Sequence, residues 1–161
     1  SYWLSHTIGE HATVAQTFNR GQKWTMITAM NCYGIVAYKI LPGAANGESF
    51  RDFISNLLVP AMQAWPGRNS IVILDGVRFH HNAQVRAMIE QAGGHLVFLP
   101  PYSPDLNPIE LVFGWMKEWL RCHRDVARDY SDLCMVEALR AIPPDMFAAW
   151  INHCGYQWYY D

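Results

Sequence analysis

The chain has 161 residues, 51 % of them hydrophobic, with seven Trp, eight Tyr and seven Phe and a formal net charge of −2 at pH 7. This length favours a single domain with a substantial core, and the aromatic content excludes a disordered chain. The weak negative charge excludes nucleic-acid binding through bulk charge, so any such binding would need a local basic surface.

The cysteines and the apolar runs exclude further classes of protein. The four cysteines lie far apart and form no CxxC pair. This spacing favours reduced thiols in an intracellular protein over a disulfide framework or a zinc site. No apolar run is long enough to cross a bilayer, and the first ten residues lack the pattern of a signal peptide. The sequence therefore predicts a soluble protein without a membrane partner.

The first third of the chain predicts a hairpin and then a helix. Residues 1–20 show no clear period, and we interpret them as a loop or a weak edge element. Trp24 to Met30 and Ile35 to Leu41 are rich in β-branched and aromatic residues and flank a short turn, which is typical of a β-hairpin. Asn46 then offers a cap for a helix whose apolar residues recur at helical spacing, namely Phe50, Phe53, Ile54, Leu57 and Leu58.

The middle of the chain predicts a strand, helix, strand unit. Ser70 to Leu74 and Leu96 to Leu99 are short continuous apolar runs, as expected of strands buried on both faces. A helical pattern lies between them and stops at Gly93 and Gly94. The two strands are therefore expected to be parallel with a right-handed crossover. Asp75 follows the first strand, at the sheet edge where open α/β sheets build their sites.

A proline-rich connector, Leu99 to Glu110 (LPPYSPDLNPIE), follows the second strand. Its four prolines fix φ and remove four backbone donors, which excludes a helix or an interior strand. The connector is stiff and ends at a helix start, so it would deliver the Glu110 carboxylate to a defined position. The alternative is structural, because Asn107 and Glu110 have the spacing of a capping box.

The helix after Pro108 is predicted to have two distinct faces. Glu110, Gly114, Lys117 and Arg121 recur at helical spacing along one side. The opposite side carries the apolar stripe Ile109, Val112, Phe113, Met116 and Leu120.

Two further helices are predicted after this one. Ser131 would cap a helix with Leu133, Val136 and Leu139 as its apolar positions, and Pro143 and Pro144 would break it. The apolar segment Met146 to Ile151 predicts the last helix.

Asp75 and Glu110 are separated by 34 residues, and the predicted topology brings them to the same region. Two carboxylates at a sheet edge suit Mg²⁺ or Mn²⁺, and a two-metal site stabilises the attacking and leaving oxygens of phosphoryl transfer. This pattern indicates nuclease chemistry. The alternatives are that Asp75 only forms a turn with Gly76, and that His80 and His81 are surface or capping residues instead of ligands.

Two segments, SIVILDGVRFHH and AGGHLVFLPPYSPDLNPIELVFGWMKEWLR, closely resemble the DDE superfamily endonuclease domain of mariner-like transposases. The stretch RGQKWTMITAMNCYGIVAYKILPGAANGESFRDFI and the segment around His153 to Tyr156 also resemble this domain. The resemblance covers about residues 20–157. Its proline-rich motif is specific, because four prolines, an Asn and a Glu in fixed order rarely recur by chance.

The resemblance implies an α/β ribonuclease H-like fold, in which a mixed sheet is flanked by helices. It implies that Asp75 and Glu110 are the second and third acidic residues of a catalytic triad. Two Mg²⁺ (or Mn²⁺) ions would act as cofactors, with Asp75 bridging both and Glu110 holding one. Lys117 and Arg121 then become candidate phosphate contacts, although two cations on one helix face are also typical of a solvated surface. Asn107, His80 and His81 would support the ligands.

Such enzymes cut DNA at transposon ends and join the freed 3′ hydroxyl to a target. The implied partners are therefore transposon terminal inverted repeats and target DNA, and the implied location is the nucleus. A homodimer is left open.

Two departures from the family pattern affect the expected activity. The family's first aspartate lies on the first, central strand, whereas no Asp precedes Asp52 here and Glu10 follows no strand-like run. Gly76 also stands where the family usually has Asn. We therefore expect residues 1–161 to be a single N-terminally truncated catalytic domain, without its first central strand and without a helix-turn-helix region, and with little or no activity.

Two alternatives follow from these departures. The chain could be a host-retained, non-catalytic ribonuclease H-like module that binds DNA or protein. It could also be unstable alone, because loss of a central strand would expose the edges of two neighbours.

Overall fold

The computed structural model describes residues 2–5, 24–75, 82–127 and 131–156. Five strands form one mixed sheet in the order β3-β2-β1-β4-β5. β1, β4 and β5 run parallel, and β2 is antiparallel to both β1 and β3. The strands are β1 (Tyr2–Ser5), β2 (Trp24–Asn31), β3 (Gly34–Pro42), β4 (Ile71–Leu74) and β5 (His95–Phe98).

The predicted hairpin is confirmed as β2 and β3. Its turn is organised by the Asn31 side chain, whose Oδ1 accepts the N–H groups of Tyr33 at 2.9 Å and Gly34 at 3.1 Å. The Asn31 side chain thus provides acceptors for two amides of the turn, where the hydrogen bonds between β2 and β3 end. This local hydrogen bonding favours a reversal of the chain after Asn31.

The central strand β1 is the main difference from the sequence expectation. Tyr2–Ser5 pairs with Ile71–Leu74 on one side, and Leu4 pairs with Met30 on the other. The expectation that the first central strand is missing is therefore wrong, as is the interpretation of residues 2–5 as a loop or an edge element. Four residues are too few to show a period, and pairing on both sides defines this strand. β1 also covers the strand edges that its loss would have exposed.

One face of the sheet, the α1 face, is covered by α1 (Gly47–Phe53) and α2 (Asn82–Gln91). Asn46 caps α1 as predicted, in a capping box: Ser49 N donates to Asn46 Oδ1 at 2.8 Å, and Asn46 N donates to Ser49 Oγ at 2.9 Å. α1 continues through a π-helical turn, Ile54–Leu58, and a 3₁₀ turn, Val59–Ala61. The π turn changes the helical phase, so Leu57 is 38 % exposed instead of facing the core.

The opposite face, the α3 face, is covered by α3 (Ile109–Cys122), α5 (Ser131–Arg140) and α6 (Pro144–His153), with the short α4 (Arg124–Ala127) beside them. All five residues of the predicted α3 stripe are buried, which confirms that face of the helix. In α5 the predicted position Leu133 is 58 % exposed. The buried residues follow the i, i+3, i+4, i+7 period of a helix face, namely Met135, Ala138, Leu139 and Ile142. The predicted positions Leu133, Val136 and Leu139 are three residues apart, and such a spacing does not stay on one face of a helix.

Two separate apolar cores result from these layers. Ile73, Met26 and Met30 of the sheet pack toward α3, whereas Val72, Leu74 and Ile27 pack toward α1 and α2. β4 is buried as predicted, but β5 is an edge strand with Val97 47 % exposed, so the expectation of two buried faces is wrong there. Among the described helices, none combines the length and apolarity that a membrane crossing requires.

Candidate functional site

Asp75 stands at the carboxyl end of β4, where the sequence places it. Ile71 and Ile73 pack on the α3 face, and Val72 and Leu74 pack on the α1 face. Because successive strand residues alternate between faces, Asp75 continues the row that faces α3. It is half-buried, and Leu99 N donates to the carbonyl of Leu74 at 2.8 Å. Asp75 therefore lies beside the first residue of the proline-rich connector.

The connector is folded into a compact turn. It contains a 3₁₀ turn at Pro104–Leu106, in which Asn107 N donates to the carbonyl of Pro104 at 3.1 Å. The Tyr156 hydroxyl donates to the Leu106 carbonyl at 2.8 Å, across 50 residues of sequence. Asn107 is only 2 % exposed. The connector is thus held both by its own turn and by Tyr156, three residues after the end of α6.

Glu110 lies in the first turn of α3 and is half-buried. Its N–H donates to the Asn107 carbonyl at 3.1 Å. The capping-box alternative expects Asn107 at the cap, but the structure places Pro108 there and gives it no side-chain cap hydrogen bond. Pro108 already has helical φ and ψ, and as a proline it has no N–H that would need a partner at the helix start.

Both carboxylates follow the carboxyl ends of neighbouring parallel strands. β5 pairs with β4, and the connector leads from β5 to the helix that carries Glu110. Leu99 and Ile109, at the two ends of the connector, belong to the same buried core as Ile73. This topology brings Asp75 and Glu110 to the same edge and the same face of the sheet.

The carboxylates of Asp75 and Glu110 are the type of ligand that Mg²⁺ and similar divalent ions prefer. Mg²⁺ is usually held by one or two carboxylates, with water and substrate phosphates filling the remaining positions. Within the described ranges, no group of three or more His, Cys, Asp or Glu could form a cage for a metal. Two carboxylates alone would leave the other positions around such an ion to water or phosphate oxygens. His80, His81 and Gly76 lie outside the described residues.

The four residues of β1 are Tyr2, Trp3, Leu4 and Ser5, and none is acidic. This strand is the parallel neighbour of β4 and ends at the same sheet edge. The carboxylate that the resemblance implies on the central strand is thus not among the residues of β1.

Lys117 and Arg121 both lie on the exposed side of α3, as predicted. Arg121 Nη2 donates to Glu118 Oε1 at 2.6 Å. This hydrogen bond lowers the pKa of Glu118 and raises the pKa of Arg121. The charge of Arg121 is therefore partly compensated, whereas Lys117 forms no ion pair with any residue that the structure describes. Of these two cations, Lys117 is the one whose charge no described carboxylate compensates.

Sequence reasoning did not identify Tyr156 as part of the site. Its ring is half-buried, and desolvation raises the pKa of its hydroxyl. A hydroxyl that stays protonated remains a donor to the Leu106 carbonyl. The signal available in the sequence was the resemblance of the segment around Tyr156, but nothing local indicates its partner.

The family model described as DDE superfamily endonuclease matches residues 5–134. The chain belongs to this family. A protein of Sinorhizobium fredii, the uncharacterized protein y4pE/y4sA, is 34 % identical over 68 residues, which are 42 % of this chain and 47 % of that protein. The chain therefore matches about half the length of this curated relative.

Solved structures share the fold of this DDE endonuclease domain. The Mos1 transposase catalytic domain with raltegravir and Mg aligns with a TM-score of 0.71 and 19 % identity, over 95 % of this chain and 77 % of that chain. A pre-cleavage Mos1 transpososome aligns with a TM-score of 0.61 and 19 % identity, over 94 % of this chain and 50 % of that chain. The Mos1 mariner paired end complex with Mn aligns with a TM-score of 0.59 and 18 % identity, over 94 % and 50 %. The expected ribonuclease H-like fold is confirmed by these matches.

Proposed function

We propose that this chain is the catalytic domain of a DNA transposase and acts on DNA at transposon ends with divalent metal ions. The observation that carries the proposal is the placement of Asp75 and Glu110 at one edge and on one face of the sheet, in a domain of the DDE endonuclease family. The solved Mos1 complexes with transposon ends, and with Mg or Mn, support DNA and these metals as the ligand classes.

The two carboxylates would hold the metal, which supplies Lewis-acid stabilisation of charge on phosphate oxygens during strand cleavage and transfer. Asp75 is fixed by the end of a buried strand, and Glu110 is fixed by the first turn of α3. Tyr156 positions Glu110 through the connector, because its hydroxyl holds Leu106 four residues before this carboxylate. Lys117, two helical turns along α3, would contact a DNA phosphate by charge.

We propose that catalysis by this chain is weak. β1 contributes no carboxylate to the edge where Asp75 lies, so a second ion would have few protein ligands. The same observation favours the second candidate function, a module that binds DNA without cutting it.

Metal binding provides the first test, since it does not depend on turnover. Mn²⁺ binding is measured by calorimetry for the unsubstituted chain, Asp75→Asn, Glu110→Gln and the matched control Glu137→Gln on α5. We expect each site variant to weaken Mn²⁺ binding by at least about tenfold, a loss that even supporting residues of metal sites typically cause. The Glu137 control should bind as the unsubstituted chain does, because that exposed residue pairs with Arg140 on α5.

Cleavage provides the second test. Mn²⁺-dependent nicking of DNA that carries transposon ends should be slow and should disappear in Asp75→Ala and Glu110→Ala. Equal nicking in both variants would refute the assignment of these carboxylates. Mn²⁺ binding with no nicking, together with DNA binding, would favour the non-catalytic module.

A further inference from the structure

Four exposed side chains lie in two contacting pairs along the sheet edge opposite Asp75, at the β2–β3 turn and the amino ends of β4 and β5. They are Tyr33, Trp65, Arg68 and His95, which we name the amino-edge platform. Asn31 Nδ2 donates to Asn69 Oδ1 at 3.1 Å, which joins the hairpin turn to the loop before β4. His95 N donates to the Ser70 carbonyl at 2.7 Å, which joins β5 to the same loop. The four-residue strand β4 separates this edge from Asp75 by roughly 13 Å.

The platform exposes two large aromatic rings beside two basic groups. Tyr33 is 63 % exposed and Trp65 is 54 % exposed. The Arg68 guanidinium carbon lies 5.5 Å from the centre of the Tyr33 ring. The Trp65 and His95 rings meet edge to face, with their centroids 5.4 Å apart. The Tyr33 ring is therefore paired with the Arg68 guanidinium, and the Trp65 ring is paired with an imidazole ring.

The loop that presents Trp65 is held rigidly. Gln63 N donates to the Arg68 carbonyl at 3.0 Å, and Arg68 N donates back to Gln63 Oε1 at 3.0 Å. Trp65 N donates to the Gly93 carbonyl at 2.8 Å. A Cβ at Gly67 would lie 2.7 Å from the Ala64 carbonyl oxygen, so only glycine fits this tight turn. A fixed, exposed indole loses little conformational entropy when a ligand stacks on it.

The charges around the platform favour a polyanionic ligand. The described residues 31–34, 61–70 and 91–95 at this edge include Arg68 and His95 but no Asp or Glu, and the adjoining Glu90 is paired with Arg86. The chain as a whole carries a formal charge of −2, so this edge differs in sign from the average surface. Exposed aromatic rings combined with an arginine are the chemistry with which proteins hold unpaired nucleotides, by stacking on bases and pairing with phosphates.

We propose that the amino-edge platform binds single-stranded nucleic acid. Bases stack on Trp65 and Tyr33, and Arg68 neutralises a phosphate. The site lies away from Asp75 and Glu110 and requires no metal. It rests on the proposed function only in that both involve DNA.

Binding of a labelled oligothymidylate of about 16 nucleotides, the upper range of such sites, tests the proposal by fluorescence anisotropy in EDTA. We expect Trp65→Ala and Tyr33→Ala each to raise Kd about tenfold. Arg68→Gln should reduce the slope of log affinity against log salt by about one. Tyr38→Ala, which removes a 40 % exposed tyrosine from β3, is the matched control and should not change Kd. Far-UV circular dichroism checks that each variant is folded.

The outcomes separate this proposal from that of the catalytic carboxylates. Asp75→Asn should bind the oligonucleotide normally even where it loses Mn²⁺, and a failure of metal binding leaves this result unaffected. Unchanged Kd in the folded Trp65 and Tyr33 variants would overturn the platform. A change in sedimentation without a change in Kd would identify a contact between two copies of the chain instead, and would also overturn it.

Discussion

The α1 face and the α3 face of the sheet bury comparable apolar cores, but they fix their helices differently. On the α1 face, local signals bound the helices. The Asn46 capping box begins α1, and α2 ends just before Gly93, which has a φ of 78°. On the α3 face, the segment before α3 is held by a hydrogen bond from Tyr156, 50 residues away.

The difference corresponds to what each face carries. A helix that only covers a core tolerates small shifts, whereas a helix start that presents a ligand must be held to within a fraction of an ångström. The α3 face presents Glu110 and receives the long-range anchor. Burial and local helix signals hold the α1 face, whereas the candidate site is held in addition by a hydrogen bond from a residue distant in sequence.

The largest effects on the free energy of unfolding are expected when one buried phenylalanine is truncated in each core. Phe53 on α1 and Phe113 on α3 are 0 % and 1 % exposed. Phe53→Ala and Phe113→Ala should each lower the free energy of unfolding by about 3–5 kcal/mol, because both leave a buried cavity. Urea unfolding measures the two losses. If one variant lost less than half as much as the other, the two faces would not be energetically comparable.

A second pair separates stability from positioning. Asn46→Ala removes the α1 cap and should cost about 1 kcal/mol. Tyr156→Phe removes one hydrogen bond to the connector and should also cost about 1 kcal/mol. Only Tyr156→Phe should weaken Mn²⁺ binding, because only that bond orients the approach to Glu110. Equal Mn²⁺ affinity in both variants, measured by calorimetry, would show that the connector needs no anchor.

The smallest effects concern two ion pairs at or near the surface, one on each face. A hydrogen bond from Lys39 lowers the pKa of Asp52, and one from Arg121 lowers the pKa of Glu118. A lowered carboxyl pKa stabilises the fold above the ordinary pKa of about 4, and this contribution is lost as pH falls through the lower folded value.

Asp52→Asn and Glu118→Gln should therefore lower Tm slightly at pH 7, and the difference from the unsubstituted chain should vanish as pH falls through the lowered folded pKa of each carboxyl. The effects should be small because exposed pairs contribute little. Thermal unfolding across this pH range measures them. A difference that persists at the acid end would point to packing in place of charge.

The parts of the fold that were predicted correctly are those with local signals. The hairpin, the Asn46 cap and the α3 stripe each depend on residues within a few positions of one another. The incorrect predictions concern the strand β1 and the position of Leu57. β1 is too short to show a pattern, and the apolar spacing does not indicate the π turn that exposes Leu57.

The candidate site was predictable to a similar extent. The position of Asp75 after a buried strand and that of Glu110 in the first helical turn follow from local patterns. The bond between Tyr156 and Leu106 was not predictable, since a single hydroxyl 50 residues away leaves no periodic trace in the sequence.

The short strand β1 also has a consequence for the order of folding. The β2–β3 hairpin and the β4–α2–β5 unit can each form from nearby residues, but they share no strand pairing with one another. β1 lies between them and pairs with both, and its pairing with β4 closes a loop of more than 60 residues. Because closing so long a loop is entropically costly, we expect the pairing of β1 with β4 to form late and to limit the folding rate.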